Sequence, residues 1–196
     1  MATVVVPFRG AEAKSRLESL GEHRATIARA MLADVVDAAA AVGPVFVVAP
    51  ESEALATGTQ VPDPGRGQGA AVAAALNAAV AAGAPAPYLV VNADLPCVTA
   101  RDLLALAGAV PEAGLAVAAA SDGTTNALAL SSADLFEPLY GPGSAERFAA
   151  LGPWRGVNAP NLSCDVDTAD DLARLAPLVG PHTRRALAAL RVEAAA

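Results

Sequence analysis

No stretch of this sequence is long and apolar enough to span a bilayer, which takes ~18 to 20 residues. The apolar runs are short: Val4 to Val6, Val45 to Ala49, Leu89 to Val91 and Leu115 to Ala120. Charge, proline or glycine interrupts the sequence between them. The mean hydropathy of +0.42 and the 54% hydrophobic content owe much to alanine, which favours helix and adds little membrane affinity. The opening MATVVVPFRG lacks the basic start and small-residue cleavage site of a secretory leader. There is no basic run, and the formal net charge is −7. A nucleic-acid binder needs a concentrated Lys/Arg face to displace counterions, so that class is excluded. The two cysteines, Cys97 and Cys164, and the two histidines, His23 and His182, show no CxxC or HxxxH spacing. That excludes a zinc cluster and leaves free thiols as the expectation. A soluble, cytoplasmic protein is expected, with neither membrane nor nucleic acid as partner.

The 196 residues suit one domain, residues 1–196, around a single core. Thr3 to Pro7, Val45 to Ala49 and Tyr88 to Asn92 read as buried strands. Between them, apolar spacing predicts helices over His23 to Val42 and from the glycines at Gly65 to Gly69 to about Ala82. Thr99 reads as the N-cap of a helix ending near Ala109. Leu115 to Ala120 and Asn126 to Leu130 follow as strands, then short helices near Ser132 to Leu139 and Ser144 to Ala150. Leu162 to Val166 reads as a strand, with helices starting at Thr168 and Thr183. This alternation predicts an α/β fold with a mostly parallel central sheet flanked by helices. Ligands in such folds bind beyond the carboxyl ends of the strands.

The loops at those ends carry the chemistry. Arg9, Lys14 and Arg16 concentrate positive charge after the first strand, suited to a triphosphate or to ion pairs with Glu12 and Glu18. Asp63 to Gly69 is a glycine loop opening onto a helix, suited to a nucleotide or to a tight structural turn. Asp94 follows a buried strand and lies too far from Thr99 to cap its helix directly, which favours a magnesium ligand. Asp165 and Asp167 share one side of an extended segment, where a cation would relieve their repulsion. Thr168, Asp170 and Asp171 read instead as a helix cap and its first turn. Thr125, with the backbone from Gly143 to Ala145 and the Ser144 hydroxyl, can cradle a phosphate, or Ser144 can simply cap its helix.

In this order, the pieces Ala13 to Leu17 (AKSRL), Ala93 to Pro96 (ADLP), Asp122 to Leu128 (DGTTNAL), Tyr140 to Ser144 (YGPGS) and Asp165 to Leu172 (DVDTADDL) resemble one family. It is that of the 2-phospho-L-lactate guanylyltransferases and their phosphoenolpyruvate-using relatives in coenzyme F-420 biosynthesis. The resemblance implies a nucleotide-diphospho-sugar transferase (GT-A-like) fold, GTP as donor, magnesium as cofactor and a phosphorylated three-carbon acid as acceptor. It implies metal ligands at Asp94 with Asp165, Asp167 or both, and catalytic roles for Asp94, Lys14 and Arg16. The acceptor site falls on Thr125, Gly141, Gly143 and Ser144, and the nucleotide site on Arg9, Lys14, Asp63, Gly67, Gln68 and Gly69. Pro7-Phe8-Arg9 and Gly67 to Val72 depart from the family's usual wording. The alternatives are a molybdopterin-type nucleotidyltransferase of the same fold and a non-catalytic nucleotide-binding module. The tail after Gly180 lies beyond the motifs and leaves a homodimer open.

Overall fold

Val4 and Val6 pack into one apolar cluster and Val5 into another. That is the mark of a strand covered on both faces. In a computed structural model, residues 1–10, 17, 20, 21 and 23–193 are described. In chain order the elements are β1 (Thr3–Pro7), α1 (Arg24–Ala40), β2 (Val45–Ala49), β3 (Thr59–Pro62), α2 (Gln68–Ala81), β4 (Tyr88–Val91) and α3 (Ala100–Gly108). They continue with β5 (Leu115–Ala119), β6 (Thr125–Leu130), α4 (Ser144–Ala149), β7 (Trp154–Gly156), α5 (Ala169–Leu175) and α6 (Pro181–Glu193). The strands form one sheet in the order β3-β2-β1-β4-β6-β5-β7. Only β6 runs against its neighbours β4 and β5, and the other pairings are parallel. The expected α/β fold with a mostly parallel sheet is therefore present.

Helix α2 covers one face through Val72, Ala75, Leu76 and Ala79. Helices α1 and α3 cover the other through Val35, Ala39, Leu103 and Leu106. A third cluster lies outside the sheet, where Ile27 and Met31 of α1 meet Cys97, Val166, Leu172 and Val179. The start of α6 is fastened there. Both oxygens of the buried Asp34 carboxylate accept backbone N–H bonds, from His182 and Thr183, each at 2.9 Å. The predicted caps at Thr99 and Thr168 form capping boxes with Asp102 and Asp171.

Two expectations change, and two strands form that the sequence pattern does not mark. Leu162 to Val166 is no strand: Pro160–Ser163 forms a 3-10 turn with proline at its start, and the segment beyond follows no strand pairing. The helix expected over Ser132 to Leu139 shrinks to a 3-10 turn at Ala133–Leu135, because Pro138 cannot continue it. Strands β3 and β7 carry almost no apolar pattern, since only Val61 among their residues is buried. Their pairing with β2 and β5 makes them strands.

Candidate active site

Strand β1 pairs with β2 on one side and β4 on the other, and the strand order reverses between them: the chain leaving β1 re-enters the sheet at β2, and the chain leaving β4 re-enters on the far side at β5. A crevice opens at such a switch point, at the carboxyl ends of the strands. Here it is a cavity of about 190 Å³ whose wall includes Arg9, Asp63, Gly67, Gln68, Asn92 and Asp94. A second cavity shares Arg9, Gly67 and Gln68 and extends to Arg66, Gly69 and Gly141. Five expected nucleotide residues thus meet Asp94 and Gly141 around two adjoining hollows. Lys14 and Arg16 lie outside the described residues.

The glycine loop is built for close approach. Gly67 adopts φ +87° at the N-cap of α2, and neither a side-chain cap nor a first-turn acid closes that helix end. A Cβ on Gly69 would stand 2.5 Å from Pro138 Cβ and 3.1 Å from its Cα. Glycine therefore lets α2 pack directly against the segment leading to Tyr140 and Gly141. Asp63 accepts from the Gly65 N–H at 2.9 Å, which shapes its own loop.

The carboxylates converge from two distant segments. The backbone N–H of Val166 donates to the Asp94 carbonyl at 3.0 Å, placing Asp165 and Asp167 on either side of that anchor. Asn126 Nδ2 donates to Asp165 Oδ1 at 3.0 Å. Burial pushes the Asp165 pKa above the ordinary carboxylate value; the Asn126 bond opposes this, and the Asp94 and Asp167 charges add to the rise. Among the described residues no group of three or more His, Cys, Asp or Glu side chains is arranged to hold a metal unaided. An oxygen-only, anionic, partly buried set still fits a hard divalent cation, which takes one or two carboxylates and completes its shell with phosphate and water. The buried Asp94 Oδ1 belongs to that set.

The expected phosphate cradle is arranged differently. Thr125 and Ser144 are 3% and 0% exposed, and their hydroxyl oxygens lie 2.9 Å apart in a hydrogen bond. They sit behind the wall and tie β6 to α4. The Ser144 N–H already donates to Gly141 and the Ala145 N–H to Gly123. Gly143, in the left-handed region, starts α4, and Arg147 braces the loop by donating to the Leu139 and Pro142 carbonyls. Of this group Gly141 reaches a cavity wall.

Two residues escaped the sequence reading. Asn92 donates from Nδ2 to the Thr125 carbonyl at 3.2 Å and accepts from Gln68 Nε2 at 2.8 Å. Asn126 holds Asp165 as described. The available signal was a polar amide ending one buried strand and starting another.

Residues 2–193 match the family described as guanylyl transferase CofC like. A phosphoenolpyruvate guanylyltransferase of Mycobacterium sp. (strain KMS) is 36% identical over 97% of this chain and 93% of its own. One from Sphaerobacter thermophilus is 43% identical over 94 residues, 45% of each chain. The fold resembles a nucleotidyl transferase from Methanothermobacter thermautotroptrophicus, with TM-score 0.64, 18% identity, and 94% and 98% of the two chains covered. It also resembles 2-C-methyl-D-erythritol 4-phosphate cytidylyltransferase from Thermus thermophilus, with TM-score 0.57, 22% identity, and 87% and 95% covered.

Proposed function

The chain belongs to the CofC-like guanylyl transferase family and is a nucleotidyltransferase; from that premise we propose that it joins GMP from GTP to phosphoenolpyruvate, releasing pyrophosphate. 2-Phospho-L-lactate is the alternative acceptor, and the product feeds coenzyme F-420 biosynthesis. The whole chain acts as one nucleotidyltransferase domain. The observation that carries this reading is the convergence of Asp94, Arg9 and the Gly67-Gln68 loop on one cavity at the sheet's switch point.

In this reading the first cavity takes the nucleoside, with Gly67 and Gln68 against the base. The second takes the acceptor, between Arg66, Gly69 and Gly141. Asp94, with Asp165 or Asp167, holds magnesium, which when bound neutralises charge on the reacting phosphates. The acceptor phosphate is already ionised near neutral pH, so its oxygen attacks the α-phosphorus in line without a protein base. The chain's contribution is to align the two phosphates and to offer cations to the departing pyrophosphate. Arg9, Lys14 and Arg16 carry that last role.

The test is pyrophosphate release with GTP and magnesium, comparing phosphoenolpyruvate, 2-phospho-L-lactate and 3-phospho-D-glycerate, with product mass determined. Release with one acid and a GMP-diphosphate adduct of matching mass is the expected result. No release with any acid overturns the reading.

A further inference from the structure

The Thr125 carbonyl can only accept a hydrogen bond, so the Asn92 atom that meets it at 3.2 Å must be Nδ2. The opposite side of the same amide then presents Oδ1, another obligate acceptor. The Gln68 atom 2.8 Å from it must therefore be Nε2. One backbone carbonyl thus dictates, through two side chains, which way the Gln68 amide faces. Flipping Gln68 would set its oxygen against Asn92 Oδ1, two acceptors in contact with no proton between them. Gln68 is half-buried and lines both cavities. Its Oε1 has no hydrogen bond among the described residues.

We propose that Asn92 is a positioning residue for nucleotide choice, locking the Gln68 amide so that its carbonyl oxygen meets the bound base as an acceptor. An acceptor held there favours a base whose pairing edge donates N–H. Guanine meets it with two adjacent donors, N1–H and the N2 amine, whereas adenine has a bare acceptor at N1 and carries its one pairing-edge amine, N6, where guanine has O6. A site committed to hydrogen-bonding an N–H strongly rejects the analogue that lacks it. The inference rests on the guanylyl-transfer reading and adds what enforces the base. Asn92 also donates its backbone N–H to the Asn126 carbonyl at 3.0 Å. Its side chain is therefore carried on the β4–β6 ladder rather than on a free loop.

Asn92→Leu, Gln68→Leu and the double variant are titrated calorimetrically with GTP and with ATP, without acceptor, so that the readout is binding rather than turnover. Asn92→Ser accompanies them as the smaller change, and thermal melts check the fold. Each single leucine variant is expected to lower the GTP-over-ATP affinity ratio about tenfold or more. The double variant should fall no further than Gln68→Leu alone, because Asn92 acts through Gln68. A wild-type ratio retained in Asn92→Leu or Asn92→Ser overturns the inference, as does a double variant that loses the product of the two single effects. Wild-type protein that binds neither nucleotide overturns the guanylyl-transfer reading and this inference with it.

Discussion

The Val166 N–H and the Asp94 carbonyl are joined by a 3.0 Å hydrogen bond that sets the carboxylates of two remote segments side by side. Val166 is itself fully buried in the third apolar cluster, so the anchor is held from behind by packing. Its neighbours Asp165 and Asp167 are only partly buried. Asp165 feels the charges of both Asp94 and Asp167. A cation is the natural resolution of such a cluster.

Asp94→Asn keeps the shape of the side chain and removes its charge. Nucleotidyl transfer is expected to fall ~10²-fold or more, the scale of losing one preorganised charge contact, with the thermal midpoint nearly unchanged. Pyrophosphate release under saturating magnesium checks it, and near-normal turnover would sink the metal assignment.

Asn126→Ala removes the amide that holds Asp165 Oδ1. Groups that orient a metal ligand typically account for about 10- to 100-fold in metal affinity. Manganese binding followed by electron paramagnetic resonance, with no substrate present, should show a loss of that size. An unchanged affinity would remove Asp165 from the metal site.

Asp34→Ala leaves two N–H groups at the start of α6, that of Thr183 buried and that of His182 partly so, without their acceptor. The expected cost is about 2 kcal/mol, since an abandoned buried donor keeps its desolvation penalty. Urea unfolding measures it. Base choice should not move, because Asp34 lies at the α1–α6 contact, away from both cavities.

Asp171 gives the chain a defined acid limit. Its bonds from Arg174 and Thr168 hold the carboxyl pKa at about 2, against an ordinary 3.8. A pKa lowered by folding adds stability that is complete above the unfolded value and is lost as pH falls towards the folded one. Unfolding free energy should therefore decline between about pH 4 and pH 2. Asp171→Asn, measured by urea titration across that range, should flatten this part of the decline. An equal slope in both proteins would assign the acid sensitivity elsewhere.

The local patterns that were legible are those the chain enforces within a few residues. Val4 to Val6, Val45 to Ala49 and Tyr88 to Val91 are apolar and rich in β-branched residues, and strands cover those positions. Thr99 and Thr168 each stand three residues before an aspartate, and both capping boxes form. The loops carrying Arg9, Asp63, Gly67 and Asp94 could be named because glycine, charge and strand ends mark them without knowledge of their neighbours. Other features depend on partners far along the chain. Strands β3 and β7 exist by pairing with β2 and β5, and the Leu162 to Val166 segment is apolar without being a strand. Thr125 and Ser144 have the composition of a phosphate cradle, yet folding turns their hydroxyls towards each other. Asn92 and Asn126 are marked locally only as amides at the ends of buried strands, since an amide acquires a direction only from the groups it meets. Sequence by itself thus determined which loops gather around the two cavities, through residue type and periodicity. Tertiary structure alone decided which atoms face the cavity, because hydrogen bonds between remote segments set those orientations.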